Sequence, residues 1–441
     1  MAVRESLVPG MPYRPLRRLA MLVVHSNPVA EPGVGDGGGM TVYVREMARA
    51  LARRGLEVDI YTRHDAGGSA VPTELSPGVV VYPIVAGEPG LSKAELPAHL
   101  PEFTANLAAQ VEQRLVGYDL IHSHYWLSGR VATLLAGRWG IPFVHTFHTL
   151  GLVKNQGRAR GEPVEPEARL RGEARVIAEA EAIIASSPQE RSWLIDLYAA
   201  HPERIHVIPP GVDHSTFRPP AGGDRVAAKV ALGKALGMSP VEQRDLSHKH
   251  VLLFAGRLQP LKGAGTAIEA LAHLIGWGRV EPEGAVLLVV GGGSGAAGAG
   301  EPERLQALAT RLGVASAVRF VDAQPHAALP GFYQAADVCF VPSYTESFGL
   351  VALEAQASGT PVIGSAVGGL RSIVRHGQTG YLVSPGAAGA FAERAWRVLS
   401  DPPLAASMSR LAVCSSGDFS WDQSGTDLHD LYVASTRRAR R

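Results

Sequence analysis

Apolar residues in this chain fall into short blocks of β-strand length, separated by longer stretches with helical periodicity. In the first half the blocks read LAMLVV, EVDIYT, VVVYPI, DLIHSH, PFVHTFH, AIIASS and IHVIPP; in the second half they read HVLLFAG, AVLLVVG, VRFVD, VCFVPS and PVIGS. Most run without polar alternation, which is the pattern of strands covered on both faces, as in parallel sheets. Between the first two blocks, Met40, Tyr43, Val44, Met47, Ala48 and Leu51 recur at helical spacing. Arg45, Glu46 and Arg49 take the other face, and Gly55 stops the helix. Strand, glycine loop, helix and strand predict a Rossmann-like opening.

The alternation breaks once, at VIPPGVDHSTFRPPAGGD (207–224), and restarts at HVLLFAG. A domain boundary is therefore expected near 212–220. The pattern predicts an α/β protein of two Rossmann-like parallel-sheet domains facing a cleft. They span 18–215 and 216–415, with a tail at 1–17 and a terminal helix within 416–441. The stretch from Ala221 to His250 is expected to be a surface helix plus loop. Ligands of such sheets bind at the carboxyl ends of the strands, so two facing sheets give two half-sites.

Composition narrows the classes. Of 441 residues, 46% are hydrophobic and 19% charged, enough for large cores and against general disorder. The net charge of +1 gives no field to recruit nucleic acid or an anionic membrane. Two cysteines, Cys339 and Cys414, form neither a disulfide framework nor a metal motif, and fit a reducing cytoplasm. The basic RPLRR before residues 19–24 imitates a secretory signal, but the run is short and His25 and Asn27 follow; it is read as a buried first strand. No apolar stretch reaches the ~20 residues of a transmembrane helix.

Four segments carry candidate chemistry. GVGDGGGMTVYV (33–44) sets glycines before a helix N-terminus, as an anion site would, although a glycine run alone also suits a surface loop. GRLQPLKG (256–263) follows a strand directly and holds Arg257 and Lys262 on a loop stiffened by Pro260. That pair suits a diphosphate or is two ordinary surface cations. SYTESFGLVALEAQASGTPVIG (343–364) carries Glu346 in a strand-to-helix loop and Glu354 about a turn inside the helix. The N–H groups near Gly349, Leu350 and Val351 open that helix and can hold phosphate oxygens. The carboxylates then flank an anion site rather than face each other across a glycosidic bond. Finally, HSHYWLSG and HTFHTLGLVKN place His122, His124, His145 and His148 at strand ends. With no HExxH and no matching acidic residue, they read as neutral hydrogen-bonding histidines, some of them structural, rather than as zinc ligands.

Together these residues resemble the retaining nucleotide-sugar glycosyltransferases of the GT-B fold, over roughly residues 18–435. ESFGLVALE and GRLQPLKG carry the superfamily likeness. HSNPVAEPGVGDGGGMTVYV, GLSKAELP, IHSHYWLSG, HTFHTLGLVKN and PEAR resemble the D-inositol 3-phosphate glycosyltransferase family of mycothiol biosynthesis. That family moves N-acetylglucosamine from UDP-N-acetylglucosamine to an inositol phosphate. The resemblance implies that Arg257 and Lys262 hold the donor diphosphate, Glu354 the ribose and Glu346 the donor sugar. Gly39 would press its backbone against the diphosphate, and His148 would sit at the reacting face. Glu31, Pro32, Gly349, Leu350 and Val351 complete the implied donor site. Lys93, Tyr125, Thr149 and Arg169 would grip the acceptor phosphate, with His25, Asp36, Gly37, Gly38, Gly39, Met40 and Thr41 around the acceptor. In such relatives the chain end crosses back to the first domain.

Three positions depart from the family. Thr41 replaces an Asn that touches the inositol ring, Gln324 an Arg near the nucleotide, and Phe147 a small residue, as in sucrose-phosphate-synthase-like relatives. The expected partners are thus a nucleotide-sugar donor and a phosphorylated cyclitol or sugar acceptor. A related transferase with another acceptor is the alternative, followed by an epimerase and a non-catalytic nucleotide-sugar sensor. A nicotinamide dehydrogenase is disfavoured because GxGxxG is absent from the first loop. No Asp-x-Asp pair calls for a catalytic metal, while a structural Mg²⁺ and a homodimer both stay open.

Overall fold

Each run read as a strand contains one in the computed structural model, which describes residues 16–30, 37–65, 68, 70–158, 163–293, 298 and 300–439. The first sheet comprises β1 (Arg18–Leu22), β2 (Glu57–Arg63), β3 (Thr73–Ser76), β4 (Val79–Ile84), β5 (Leu120–His124), β6 (Phe143–Thr146), β7 (Ala182–Ala185) and β8 (Ile205–Val207). The second comprises β9 (His250–Ala255), β10 (Ala285–Val290), β11 (Val318–Val321), β12 (Val338–Val341), β13 (Val362–Ser365) and β14 (Gly380–Val383). Their orders are β3-β4-β2-β1-β5-β6-β7-β8 and β11-β10-β9-β12-β13-β14. Every pairing is parallel except that of β3 with β4. This is an α/β fold of two Rossmann-like domains.

Two strands escape the apolar pattern. β3 (TELS) is a polar, half-exposed antiparallel edge, and β14 (GYLV) is four residues after a turn. The stretch from Ala221 to His250 also differs from the helix-plus-loop expectation. It holds two helices, Arg225–Ala235 and Pro240–His248. The first is tied to the second sheet by Lys229, whose Nζ donates to Asp337 Oδ2 at 2.8 Å.

Continuous apolar runs are needed because both faces of each sheet are covered. Along the β1 run, Ala20, Leu22 and Val24 enter one core cluster and Leu19, Met21 and Val23 the opposite one. The second sheet divides likewise, Leu252 and Phe254 from Val251, Leu253 and Ala255. The cluster around Leu19 contains the helix Gly39–Ala52 together with Trp421, Leu428, Leu431 and Tyr432 of the last helix, Trp421–Arg438. That last helix lies against the first domain although it follows the second in sequence. Among the described residues no helix is long and apolar enough to cross a membrane.

In each sheet the strand order reverses at one point, between β1 and β5 and between β9 and β12. Crevices open at the carboxyl ends there. The segments that follow β1, β9 and β12, together with the one after β6, line the space between the sheets.

Candidate active site

The two crevices face each other across a cavity of about 290 Å³. From the first sheet come Gly38, Gly39, Met40, His148 and Thr149; from the second, Arg257, Lys262, Glu346, Gly349, Leu350, Val351 and Glu354. Residues drawn from four loops far apart in sequence thus line one space. Glu31, Pro32 and Asp36 lie outside the described residues.

On the second sheet, β9 ends at Ala255 and the chain turns through Gly256 to Arg257. A single helical turn, Pro260–Lys262, then brings Lys262 forward. Its Nζ donates to Glu346 Oε2 at 2.8 Å, and Ser343 Oγ donates to the same oxygen at 3.2 Å. An ammonium has three N–H donors, so two remain for a ligand. After β12 the loop passes Glu346 and enters the helix Leu350–Ala357 through Gly349, whose φ of 106° favours glycine. A Cβ there would stand 2.6 Å from Leu370 Cδ2. The first N–H groups of this helix have no helical carbonyl to bond and open beside Glu346.

Glu354 is buried one turn further on. His326 Nε2 donates to its Oε1 at 2.7 Å and Tyr333 Oη to its Oε2 at 2.9 Å. Burial by itself would lower the His326 pKa, but the Glu354 carboxylate outweighs it and raises it. Neither His326 nor Tyr333 was legible in the sequence, since nothing in their spacing points to Glu354.

On the first sheet, Thr149 joins the cavity to a basic cluster in which Arg169 is buried and Lys93 exposed. Arg169 Nη2 donates to Thr149 Oγ1 and to Thr149 O, both at 3.0 Å. The Arg169 guanidinium lies 5.0 Å from the Tyr125 ring centre, and Lys93 Nζ stands 4.0 Å from the same ring. His25 packs on Tyr125 at 4.4 Å between centroids. Burial holds His25 well below the ordinary imidazole range, reinforced by the positive charges of Lys93, Arg169 and Arg257. Glu173 and Glu165 neutralise part of Arg169, at 2.7 and 2.9 Å. Tyr125 and His148 both sit in the left-handed region, at φ 71° and 60°. For residues with a Cβ this is a strained backbone of the kind found at functional sites.

His122, His124 and His145 are fully buried, and His148 is half-buried. His145 Nδ1 bonds Ser123 Oγ at 2.8 Å; His122 bonds Thr146 Oγ1 at 2.9 Å and Tyr432 Oη at 2.6 Å. His124 Nδ1 faces His148 Nε2 at 2.9 Å. Three of them serve the framework, and His148 reaches the cavity. Among the described residues no group of three or more His, Cys, Asp or Glu is placed to hold a metal.

The departures from the family pattern fall unevenly. Thr41 is completely buried, bonds Ser26 Oγ at 2.9 Å and the Gly38 N–H at 3.4 Å, and does not line the cavity. It holds the glycine turn. Phe147 is buried in the core, edge-on to His145 at 4.2 Å. Gln324 does line the cavity, with its amide on Asp322 O at 3.0 Å. Gly37 is buried in the turn before the helix.

Two further residues, Ser347 and Glu190, and one contact of Arg257 emerge only from the structure. Ser347 spans the cleft: its Oγ donates to His148 O, and its carbonyl accepts from Ser187 Oγ at 3.2 Å. The Arg257 side chain lies across Gly38, where a Cβ would stand 3.3 Å from Arg257 Nε. Glu190 lines the first-sheet wall with one oxygen, Oε1, buried and without a partner among the described residues. Burial pushes its carboxyl up to about 7, against the bond from the Ser186 N–H to Oε2.

A fold of two facing parallel sheets with this cavity at both switch points is that of the GT-B glycosyltransferases, and the comparisons agree. Residues 37–216 match the family "Glycosyltransferase Family 4" and residues 241–412 match "Glycosyl transferases group 1". The D-inositol 3-phosphate glycosyltransferase of Acidothermus cellulolyticus is 46% identical, over 96% of this chain and 91% of its own. That of Catenulispora acidiphila is 44% identical over 95% of each. Among solved structures, sucrose-phosphate synthase from Thermosynechococcus elongatus superposes with a TM-score of 0.83 at 33% identity, covering 94% of this chain and 98% of its own. The chain is a nucleotide-sugar glycosyltransferase and belongs to the family of these D-inositol 3-phosphate glycosyltransferases.

Proposed function

We propose that the protein transfers N-acetylglucosamine from UDP-N-acetylglucosamine to 1D-myo-inositol 3-phosphate, a step of mycothiol biosynthesis, with retention at the anomeric carbon. The observation that carries this reading is a cavity lined by the cation-bearing strand end, Arg257 and Lys262, and by Thr149, which a second basic group, Arg169, bonds from behind. Arg257, Lys262 and the N–H groups after Gly349 suit a diphosphate whose charge grows as it leaves. Lys93, Tyr125, Thr149 and Arg169 suit a second phosphate, that of the acceptor. The names of the 43–46% identical relatives support the same acceptor.

In this reading Glu346 accepts hydrogen bonds from the donor sugar and steadies the oxocarbenium charge, while Glu354 takes the ribose hydroxyls. The acceptor hydroxyl attacks on the face the diphosphate leaves. The C–O bond to the diphosphate breaks, the new glycosidic bond forms, and a phosphate oxygen takes the hydroxyl proton. No covalent glycosyl-enzyme and no catalytic metal are needed. A glycosyl group trapped on Glu346 would overturn this route.

The likeness to sucrose-phosphate synthase favours a second reading, with a sugar phosphate as acceptor. Thr41 and Phe147, the departures nearest the glycine turn and His148, are buried and do not line the cavity. The deciding experiment measures UDP release from UDP-N-acetylglucosamine with D-inositol 3-phosphate, free inositol or a hexose phosphate. Stimulation by the inositol phosphate alone is expected. Stimulation by the hexose phosphate alone sinks the first reading and sustains the second.

A further inference from the structure

His148 has one ring nitrogen turned to the protein and one left for the cavity. Nε2 faces His124 Nδ1 at 2.9 Å, while Nδ1 has no hydrogen-bond partner among the described residues and is not one of the buried unpartnered nitrogens. We propose that His124 is the positioning residue that fixes the tautomer of His148: it donates Nδ1–H to His148 Nε2, so that His148 presents Nδ1–H to a hydroxyl oxygen of the bound sugar.

Two facing nitrogens in contact share one proton, and the surroundings decide which ring carries it. If His148 were the donor, the proton of neutral His124 would sit on Nε2. That nitrogen is buried and has no partner among the described residues. It would then be an orphaned buried N–H, the rarest kind of unsatisfied group; as a bare lone pair it is the lesser cost. Protonation of both rings is no way out. Burial pushes His148 down to about 3, and His124 lies well below the ordinary value for the same reason, helped by the neighbouring histidines.

The His124 ring is held against the flip that would put a carbon in place of Nδ1 beside His148. His122 packs against it with centroids 4.0 Å apart and is itself held by Thr146 and Tyr432. Tyr43 stands edge-on to His124 at 5.8 Å and to His148 at 5.0 Å. His148 is therefore a fixed, neutral hydrogen-bond donor and not a proton carrier. The identity of the sugar rests on the function proposed above; the tautomer does not.

The test separates the two. In the full-length protein labelled with ¹⁵N-histidine, two-bond ¹H–¹⁵N correlation spectra show which nitrogen of His148 bears the proton, with His148→Gln giving the assignment. Nδ1–H is expected in the unsubstituted protein. His124→Asn, whose amide nitrogen can donate from the same place, retains it. His124→Asp, which can only accept, moves the proton to Nε2. Because a wrong tautomer removes a positioned donor, kcat for UDP release in His124→Asp falls by about tenfold or more, with the donor KM little changed. His124→Asn stays within about threefold of the unsubstituted protein on the same reasoning. An Nε2–H signal in the unsubstituted protein overturns the proposal, as does an unmoved proton in a folded His124→Asp. If His124→Asp fails to fold, the spectra of the unsubstituted protein and of His124→Asn still decide it. An intact tautomer result with no turnover of UDP-N-acetylglucosamine fails the donor assignment and leaves the positioning role standing.

Discussion

On the second-sheet wall, Lys262, Glu346 and Ser343 bond one another and stay open to the cavity, with 26% of the Lys262 side chain and 16% of Glu346 exposed. On the first-sheet wall, Arg169 and Glu173 are 3% and 0% exposed and tie a strand-end loop to the helix Glu167–Glu179. Both walls sit at a switch point of a parallel sheet, yet their charges are held differently. Apart from the buried Glu354, the second wall keeps these charged groups out of the framework, so they can turn to a ligand at little structural cost. The first wall has built Arg169 into the core, where it arrives pre-oriented and cannot be removed without disturbing the fold, while Lys93 stays exposed.

The comparison breaks or sharpens at three places. The largest effect is expected from Arg169→Ala. It leaves the fully buried Glu173 without its cation, while Glu165 keeps Lys154, and should destabilise the protein by about 3–5 kcal/mol, the usual result of removing one partner of a buried pair. Denaturant unfolding would show it alongside a raised KM for the inositol phosphate. An unfolding curve that matches the unsubstituted protein would mean that the first wall is no more structural than the second. Next comes Lys262→Ala. Loss of one electrostatic group at a leaving diphosphate should lower kcat/KM by about 10²–10³-fold, roughly 3 kcal/mol, with the melting curve nearly unchanged. A loss below about tenfold counts against the assigned role, on the same scale. The smallest effect concerns Glu190, the first-wall charge that lacks a full set of partners. Its folded pKa is raised to about 7 from an ordinary 4.5, so its contribution to stability is present below about 4.5 and lost as pH rises through 7. Glu190→Gln should therefore gain in melting temperature over the unsubstituted protein at pH 8, and the gain should vanish near pH 5. A gain that is the same at both pH values would show that Glu190 is not the titrating group.

The legible part of this molecule is what backbone periodicity and local chemistry dictate. Strands buried on both faces must be continuously apolar, so twelve of the fourteen appear as runs; β3 escapes because it is a polar edge, while β14 (GYLV) follows directly on a glycine turn. The loops with Arg257, Lys262, Glu346 and Glu354 are legible because glycine, proline and charge recur within a few residues. What stays hidden depends on neighbours brought from elsewhere. His326 and Tyr333 meet Glu354 from other segments, Ser347 matters only because His148 and Ser187 lie opposite, and His124 only because of His148. Thr41 and Phe147 show the converse: a sequence difference next to a motif can lie behind the site rather than in it.

The last helix, Trp421–Arg438, supplies Trp421, Leu428, Leu431 and Tyr432 to the core of the first domain. On the ribosome those residues emerge only after the whole second sheet has been made. Until then the nascent first domain leaves part of an apolar face uncovered, and His122 lacks the hydroxyl of Tyr432. Synthesis from the N-terminus thus does not finish the domains in order. The first domain is begun first and completed last, and a stalled chain would hold the second domain whole while the first still awaited its covering.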